Sequence, residues 1–388
     1  MLTRKLASEL KTMADAYPVV TVIGPRQSGK TTLVRALFPD KPYVSLENPD
    51  ERAFALADAK GFLARYSNGA ILDEIQRQPE LLSYIQTIVD SRKSKGMFIL
   101  TGSHQLLLHE SITQSLAGRT AILKLMPLSL SELPSLKTND INELMYQGMY
   151  PRLYDDPINP TKYYRDYVQT YVERDVRQML RVKDLKQFQH FLRLCAGRIG
   201  QVFNASNLGH DLGISYHTVE NWISILEASF ILFRLQPYYE NLGKRLSKSP
   251  KLYFTDVGLA AYLLGILNVQ HLSRDPLRGN LFENFVVMEC IKETLNRGQE
   301  PDFYYYRDSN QNEVDLLVKH GHDLIQIEIK SSKTFHPEFM NGLHYFKNLL
   351  QERCPKGYLI YDGDIAQAVA PFDVVNLDHI QTIISELY

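Results

Sequence analysis

The chain has 388 residues, 44% of them hydrophobic, with 43 basic against 44 acidic side chains and a formal charge of −1. That length argues for two or three domains with real cores, and the balanced charge excludes a globally basic nucleic-acid binder, so any such surface has to be a local patch. Cys195, Cys290 and Cys354 are too far apart to form a metal cluster or a disulfide framework; with no signal-peptide core in MLTRKLASELKTM and no stretch able to span a bilayer, a reducing cytoplasm and no membrane contact are expected.

LTRKLASELKTMADAYP reads as an amphipathic helix ending before Pro18. Four strands follow, VVTVIG, YVSLEN, GAILDEI and GMFILTGS, separated by the helical segments KTTLVRALF, DERAFALADAKGFLARY and PELLSYIQTIVDSRKSK. This alternation predicts a parallel α/β sheet covered on both faces, with ligands at the carboxyl ends of its strands. After Leu125 the pattern changes. MPLSLSELPSLKTND reads as a linker with short helices, and YYRDYVQTYVERDVRQML and FQHFLRLCAGRIG as helices.

Next, FNASNLGHDLGISYHTVENWISILEASF has the rhythm of a helix-turn-helix, with Ser215 as the N-cap of the second helix. Two apolar runs around a basic loop then resemble a winged hairpin. The presumed recognition helix carries Glu220 and Glu227 and no Lys or Arg, whereas Lys244, Arg245, Lys248 and Lys251 lie in the wing. Acids facing phosphates repel them, so DNA contact through the wing and a purely intramolecular packing role both stay open. The last third has the order αβββαβ: GNLFENFVVMECIKETLN, DFYYYR, NEVDLLVK, DLIQIEIK, EFMNGLHYFKNLLQE and GYLIYDG.

Two constellations carry chemistry. The first is GPRQSGKTT, that is Gly24, Pro25, Arg26, Gln27, Ser28, Gly29, Lys30, Thr31 and Thr32, between a buried strand and a helix. Its spacing is that of a P-loop, in which backbone N–H groups cradle phosphates, Lys30 reaches the β and γ phosphates of ATP and Thr31 offers a hydroxyl to Mg²⁺. The next requirement, acids at the end of an apolar strand, is met by AILDE: Asp73 for the ion and Glu74 to polarise the attacking water. Thr101 or Ser103, in LTGS, can contact the γ phosphate or its water, or merely cap a strand end. Arg119, in LAGR, has the fixed forked charge of an arginine finger toward a neighbouring subunit, which would require a homo-oligomer.

The second constellation is Asp315 in EVDLL with Glu328 and Lys330 in IEIK. Strand periodicity puts Glu328 and Lys330 on one face, an antiparallel neighbour can bring Asp315 beside them, and Glu283 on the preceding helix completes the set. Such oxygen ligands suit Mg²⁺ or Mn²⁺ acting on a phosphodiester, with Lys330 positioning or deprotonating water. A solvated charged face with a surface ion pair is the alternative, and a metal-capable fold can also survive as a scaffold.

Taken together, GPRQSGKTTL, AILDEIQ, FILTGS, LAGR, LMPLSLSEL, GMYP, YVERDV, LFENFV, EVDLLV and IEIKSS span nearly the whole chain. They resemble the bacterial and archaeal predicted ATPases of the AAA+ superfamily whose C-terminal domain of unknown function is similar to the PD-(D/E)XK nuclease fold. The resemblance implies an α/β protein: a P-loop ATPase core over 1–125, a helical lid over 126–190, a winged-helix domain over 191–260 and a nuclease-like domain over 261–388. It implies ATP and Mg²⁺ at the first site, with a sensor role near Thr101 or Ser103 and a finger role for Arg119. The nuclease pattern falls on Glu283, Asp315, Glu328 and Lys330. The expected function is an ATPase whose nucleotide state controls a nuclease-like domain that meets nucleic acid; the alternative is a nucleotide-dependent binding switch with an inactive nuclease fold and a protein or DNA partner.

Overall fold

A computed structural model of the chain describes residues 2–103, 114–133, 140–172, 185–239, 248–364 and 366–387. Helix α1 (Leu6–Ala16) buries Leu6, Leu10 and Ala14, a stripe at four-residue spacing, and stops at Tyr17, ahead of Pro18. Strand β1 (Val19–Ile23) is buried at all five positions, as a strand covered on both faces must be. It is followed by α2 (Lys30–Leu37), β2 (Tyr43–Ser45), α3 (Pro49–Ala57), α4 (Ala59–Ala64), β3 (Ala70–Asp73), α5 (Leu81–Arg92), β4 (Phe98–Gly102) and β5 (Thr120–Lys124). These five strands form a parallel sheet in the order β2-β3-β4-β1-β5.

Two details differ from the sequence expectation. The helix expected over 50–66 is two helices, because Asp58 leaves helical geometry and its side chain instead accepts a hydrogen bond from Gly61 N at 2.8 Å, capping the second. The segment after Arg119 contributes a fifth strand at the sheet edge; its inside-outside alternation over five residues is a weaker signal than the continuous apolar runs of the inner strands.

A mainly helical segment follows: α6 (Ile141–Gln147), α7 (Pro160–Tyr167) running into a π turn over Val168–Val172, and α8 (Leu185–Ala196). Most of YVERDV lies outside the described residues, as do Lys244 and Arg245. The helix-turn-helix is present as α9 (Ala205–Leu212) and α10 (Tyr216–Ala228). Gly213 takes the left-handed conformation between them, and Ser215 Oγ accepts from Thr218 N at 3.1 Å. The hairpin is β6 (Leu232–Pro237) and β7 (Lys251–Phe254), followed by α11 (Val257–Leu263).

The final part is α12 (Arg278–Leu295), β8 (Phe303–Arg307), β9 (Glu313–His320), β10 (Asp323–Lys330), α13 (Asn341–Leu350) and β11 (Gly357–Tyr361), the expected αβββαβ order. Strands β12 (Gln367–Val369) and β13 (Phe372–Val375) and helix α14 (Ile380–Ser385) extend it. The hairpin does not stand apart: β6 pairs in parallel with β8, so eight strands make one sheet, β12-β13-β11-β10-β9-β8-β6-β7. One hydrophobic core accordingly runs through the helical middle, the winged helix and the last domain. Helix α12 joins this body to the ATPase-like sheet, since Leu281, Phe282 and Phe285 belong to the large core while Met288 and Leu295 enter the core under β3 and β4. No described helix is long and apolar enough to cross a membrane.

Candidate functional site

The loop after β1 is shaped by two glycines that no other residue replaces without strain. Gly24 has φ +151° and a side chain there would meet the Leu125 carbonyl oxygen at 2.1 Å; Gly29 has φ +92° and sits at the N-terminus of α2. Gln27 between them is also left-handed, at φ 61°. Lys30, only 6% exposed, folds back so that Nζ donates to Gly24 O at 2.9 Å and Pro25 O at 2.8 Å. Burial pulls its ammonium down to about 8, with Glu74 and then Asp73 partly holding it up.

The acids expected from AILDE converge on this loop. Thr31 Oγ1 donates to both carboxylate oxygens of Asp73 at 3.1 Å, and Thr101 Oγ1 also donates to Asp73. Thr101 receives the Glu74 backbone N–H at 3.3 Å, and Ser103 Oγ donates to Glu74 Oε2 at 3.0 Å. Thr31, Asp73, Glu74, Thr101 and Ser103 are thus one hydrogen-bonded set at the carboxyl ends of β1, β3 and β4, and the Lys30 ammonium feels the charge of its two acids. Ser28 Oγ and Gln27 Oε1 are buried in the loop without a hydrogen-bond partner. The Ser28 hydroxyl, which has a proton to donate, an inward-turned loop and a helix N-terminus fit a bound phosphate group, and the Thr31–Asp73 oxygens fit a hard cation. Thr32 lines an adjoining cavity of about 520 Å³ with Arg35 and Tyr43.

Sequence reasoning missed four residues here. Tyr43 donates its hydroxyl to Asp73 Oδ2 at 2.7 Å, and burial together with that bond pushes the phenol up to about 12. Gln76 donates to Glu74 and, at 3.1 Å, to Ser103 Oγ. Arg4 donates to Ser28 O at 2.6 Å and Met126 O at 2.7 Å while paired with Glu132 at 3.0 Å, clamping the loop from α1's lead-in. Tyr171, in the π turn, receives Gln27 Nε2 at 2.9 Å and lies under the Arg26 guanidinium at 5.5 Å. Only Gln76, two positions beyond Glu74, was discoverable locally; the others arrive from remote segments.

Arg119 does not join the set within the chain. Its carbonyl accepts from Val19 N, at the start of β1, so it sits at the opposite end of the sheet from Gly24, forked onto Asp90 at 2.6 and 2.9 Å. In the winged helix, Glu220 and Glu227 both bind Arg234 of β6, each at 2.8 Å, so these acids are neutralised internally. Lys248 is exposed as a wing residue should be, but Lys251 is not: it is 2% exposed and points into the last domain.

There the second constellation does assemble. Lys330 pairs with Glu328 and lies 3.7 Å from Asp315 Oδ2, while Ile329 N donates to Asp315 at 2.9 Å. Burial raises Glu283 and, with Asp315 beside it, lifts Glu328 to about 8. The space between the acids is filled by Lys251 Nζ, 2.8 Å from Glu283, 2.5 Å from Glu313 and 3.6 Å from Asp315. Burial opposes that charge, but Glu283, Tyr253, Asp315 and Glu313 outweigh it and hold the ammonium well above its ordinary value. The expected Mg²⁺ or Mn²⁺ set of Glu283, Asp315 and Glu328 therefore does not fit a divalent ion as these side chains stand. Among the described residues no three His, Cys, Asp or Glu are arranged to hold a metal.

The first sheet and its loop belong to a P-loop ATPase-like domain of the AAA type: residues 16–134 match the AAA domain family. Residues 138–270 and 278–380 match two domains of unknown function, DUF8612 and DUF4143. The chain is 31% identical over 336 residues to the uncharacterized protein Rv2008c of Mycobacterium tuberculosis, covering 85% of this chain and 74% of that one, and it belongs to the same family. It is also 24% identical over 349 residues to the uncharacterized protein MJ1637 of Methanocaldococcus jannaschii, covering 74% of this chain and 71% of that one. Among solved structures it is similar to the Walker-type ATPase PabY2304 of Pyrococcus abyssi, with 15% identity, a TM-score of 0.45, and coverage of 68% of this chain and 96% of that one. AMPPCP-bound DnaA of Aquifex aeolicus matches with 14% identity and a TM-score of 0.31, over 57% of this chain and 85% of that one.

Proposed function

We propose that the chain binds and hydrolyses ATP with Mg²⁺ at the Gly24–Thr32 loop and uses its nucleotide state to control the body formed by the winged helix and the last domain. The observation that carries this reading is the hydrogen bond between Thr31 and Asp73 beside the buried Lys30. The loop amides and Lys30 hold the β and γ phosphates; Lys30 exchanges its two carbonyl acceptors for phosphate oxygens. Thr31 and Asp73 hold the ion, which when bound neutralises charge developing between the β and γ phosphates. Glu74, oriented by Ser103 and Gln76, takes the position of the residue that aligns the attacking water. Thr101 keeps Asp73 and the Glu74 backbone in register.

The route to the rest of the chain begins at Arg26 and Gln27. Both touch Tyr171, so a loop that reshapes around phosphate pulls on the π turn of the helical middle. Arg119, at the far end of the sheet, can serve only the γ phosphate of a second copy. The partner sensed by the controlled body is a protein or a nucleic acid, engaged through the winged-helix face that exposes Lys248.

The test is ATP turnover and fluorescent-nucleotide binding by wild type, Lys30→Ala and Glu74→Gln. Lys30→Ala should lose both. Glu74→Gln should keep binding and lose turnover by about 10²-fold or more, the contribution typical of a positioned base. Wild type that ignores ATP in the presence of Mg²⁺ would end the reading.

A further inference from the structure

We infer that the carboxylate cluster of the last domain is closed by an internal cation, Lys251, and works as an ion-pair joint between the winged-helix hairpin and the C-terminal sheet rather than as a divalent-metal centre. This does not rest on the ATPase reading, because none of its residues touches the nucleotide loop.

Four carboxylates meet there: Glu283 from α12, Glu313 and Asp315 from β9, and Glu328 from β10. Three cations face them. Lys251 comes from β7, Lys330 from β10, and Arg307 from β8 lies 3.5 Å from Glu313. A lysine ammonium has three donors and no acceptor. Here two are directed at Glu283 and Glu313, with Asp315 next nearest at 3.6 Å. The separations are those of hydrogen-bonded ion pairs, where Mg²⁺ would demand oxygens drawn in to about 2.1 Å in an octahedron.

The lysine cannot easily leave. β7 pairs Lys251 with Leu235 on one side and bridges Val202 on the other, so its backbone is held at both edges. Two residues along, on the same face, Tyr253 donates its hydroxyl to Glu283 at 2.5 Å while its ring stacks on Phe233. Tyr305 closes the lysine from another side, its ring 5.5 Å from Nζ. A divalent ion entering among these acids would sit against a buried ammonium with no water to retreat into. The order αβββαβ and the acids survive, while the hairpin supplies the charge that a metal would otherwise bring.

The experiment is a Mn²⁺ titration of the full chain without nucleotide, read by the free-ion electron paramagnetic resonance signal, on wild type and Asp315→Asn. It is joined to a double-mutant cycle of Lys251→Met and Glu283→Gln followed by chemical denaturation. The expected result is identical Mn²⁺ binding by wild type and Asp315→Asn. In the cycle, the double variant should unfold about as easily as Lys251→Met alone, a coupling of at least tenfold in the unfolding constant. Mn²⁺ binding in wild type that Asp315→Asn removes would overturn the inference, as would strictly additive losses in the cycle. Should Lys251→Met not fold, the wild-type titration still decides, since it needs no change at Lys251.

Discussion

Gly24 and Gly29 bracket the same loop but should fail differently when each is changed to alanine. At Gly29 the cost is backbone strain: φ is +92°, yet the nearest atoms to an added methyl, Arg4 Nη1 at 3.6 Å and Pro151 Cγ at 3.9 Å, are in ordinary contact. Left-handed strain of that kind costs about 1–2 kcal/mol. At Gly24 the strain at φ +151° is joined by an overlap with Leu125 O at 2.1 Å and Leu125 C at 3.0 Å. That neighbour is backbone and is itself fixed, because Leu125 N donates to Ile23 O at 2.8 Å. Strain of about 1–3 kcal/mol and overpacking of about 1–3 kcal/mol together give Gly24→Ala a loss of about 2–6 kcal/mol. Thermal melts followed by far-UV circular dichroism, with fluorescent-nucleotide binding in parallel, separate the two. Both variants should bind nucleotide poorly, and Gly24→Ala should melt well below Gly29→Ala. Equal melting temperatures, or a Gly24→Ala protein that binds as wild type does, would refute the claim that the loop is pressed against the strand end at Leu125.

Asp256 caps α11 through Leu259 N at 3.0 Å and also holds Met149 N at 2.7 Å and Tyr164 Oη at 2.6 Å, all buried; Asp256→Ala strands the two backbone donors, while Tyr164 keeps Gln147 O at 3.0 Å, and should cost on the order of 3 kcal/mol in denaturant titrations that follow Trp222. Arg119→Ala should lower ATP turnover only at protein concentrations where the chain self-associates; a loss independent of concentration would contradict its position at the far end of the sheet. The three cysteines are buried, with desolvation pushing the Cys195 and Cys290 thiols far up and Cys354 up to about 11, so at pH 8 the native chain should resist thiol reagents and the unfolded chain should yield all three. As pH climbs toward 11, Cys354 should become the first to react, because its thiolate appears earliest.

What the sequence determined by itself is local. Phosphate-loop spacing, an apolar strand ending in Asp73 and Glu74, Ser215 as a cap, and the αβββαβ order follow from patterns confined to a few turns of chain. Hydrogen-bonding rules and side-chain periodicity act over that same short range. The approach of Asp315 to Glu328 was also legible, because antiparallel pairing of neighbouring strands leaves little choice; the observed register sets Ile327 against Leu316, one step away. Other facts had no local signal. Lys251 reads as one more basic wing residue until β6 pairs with β8 and turns the hairpin's inner face toward Glu283. Tyr43, Tyr171 and Arg4 reach the nucleotide site from a neighbouring strand, a π turn and a helix lead-in, 24 or more positions from the residues they touch. A charged side chain looks the same in the sequence whether water or carboxylates surround it. Only the packing of remote segments, which decides what is desolvated together, made Lys251 an internal counter-ion and left Lys248 in solvent.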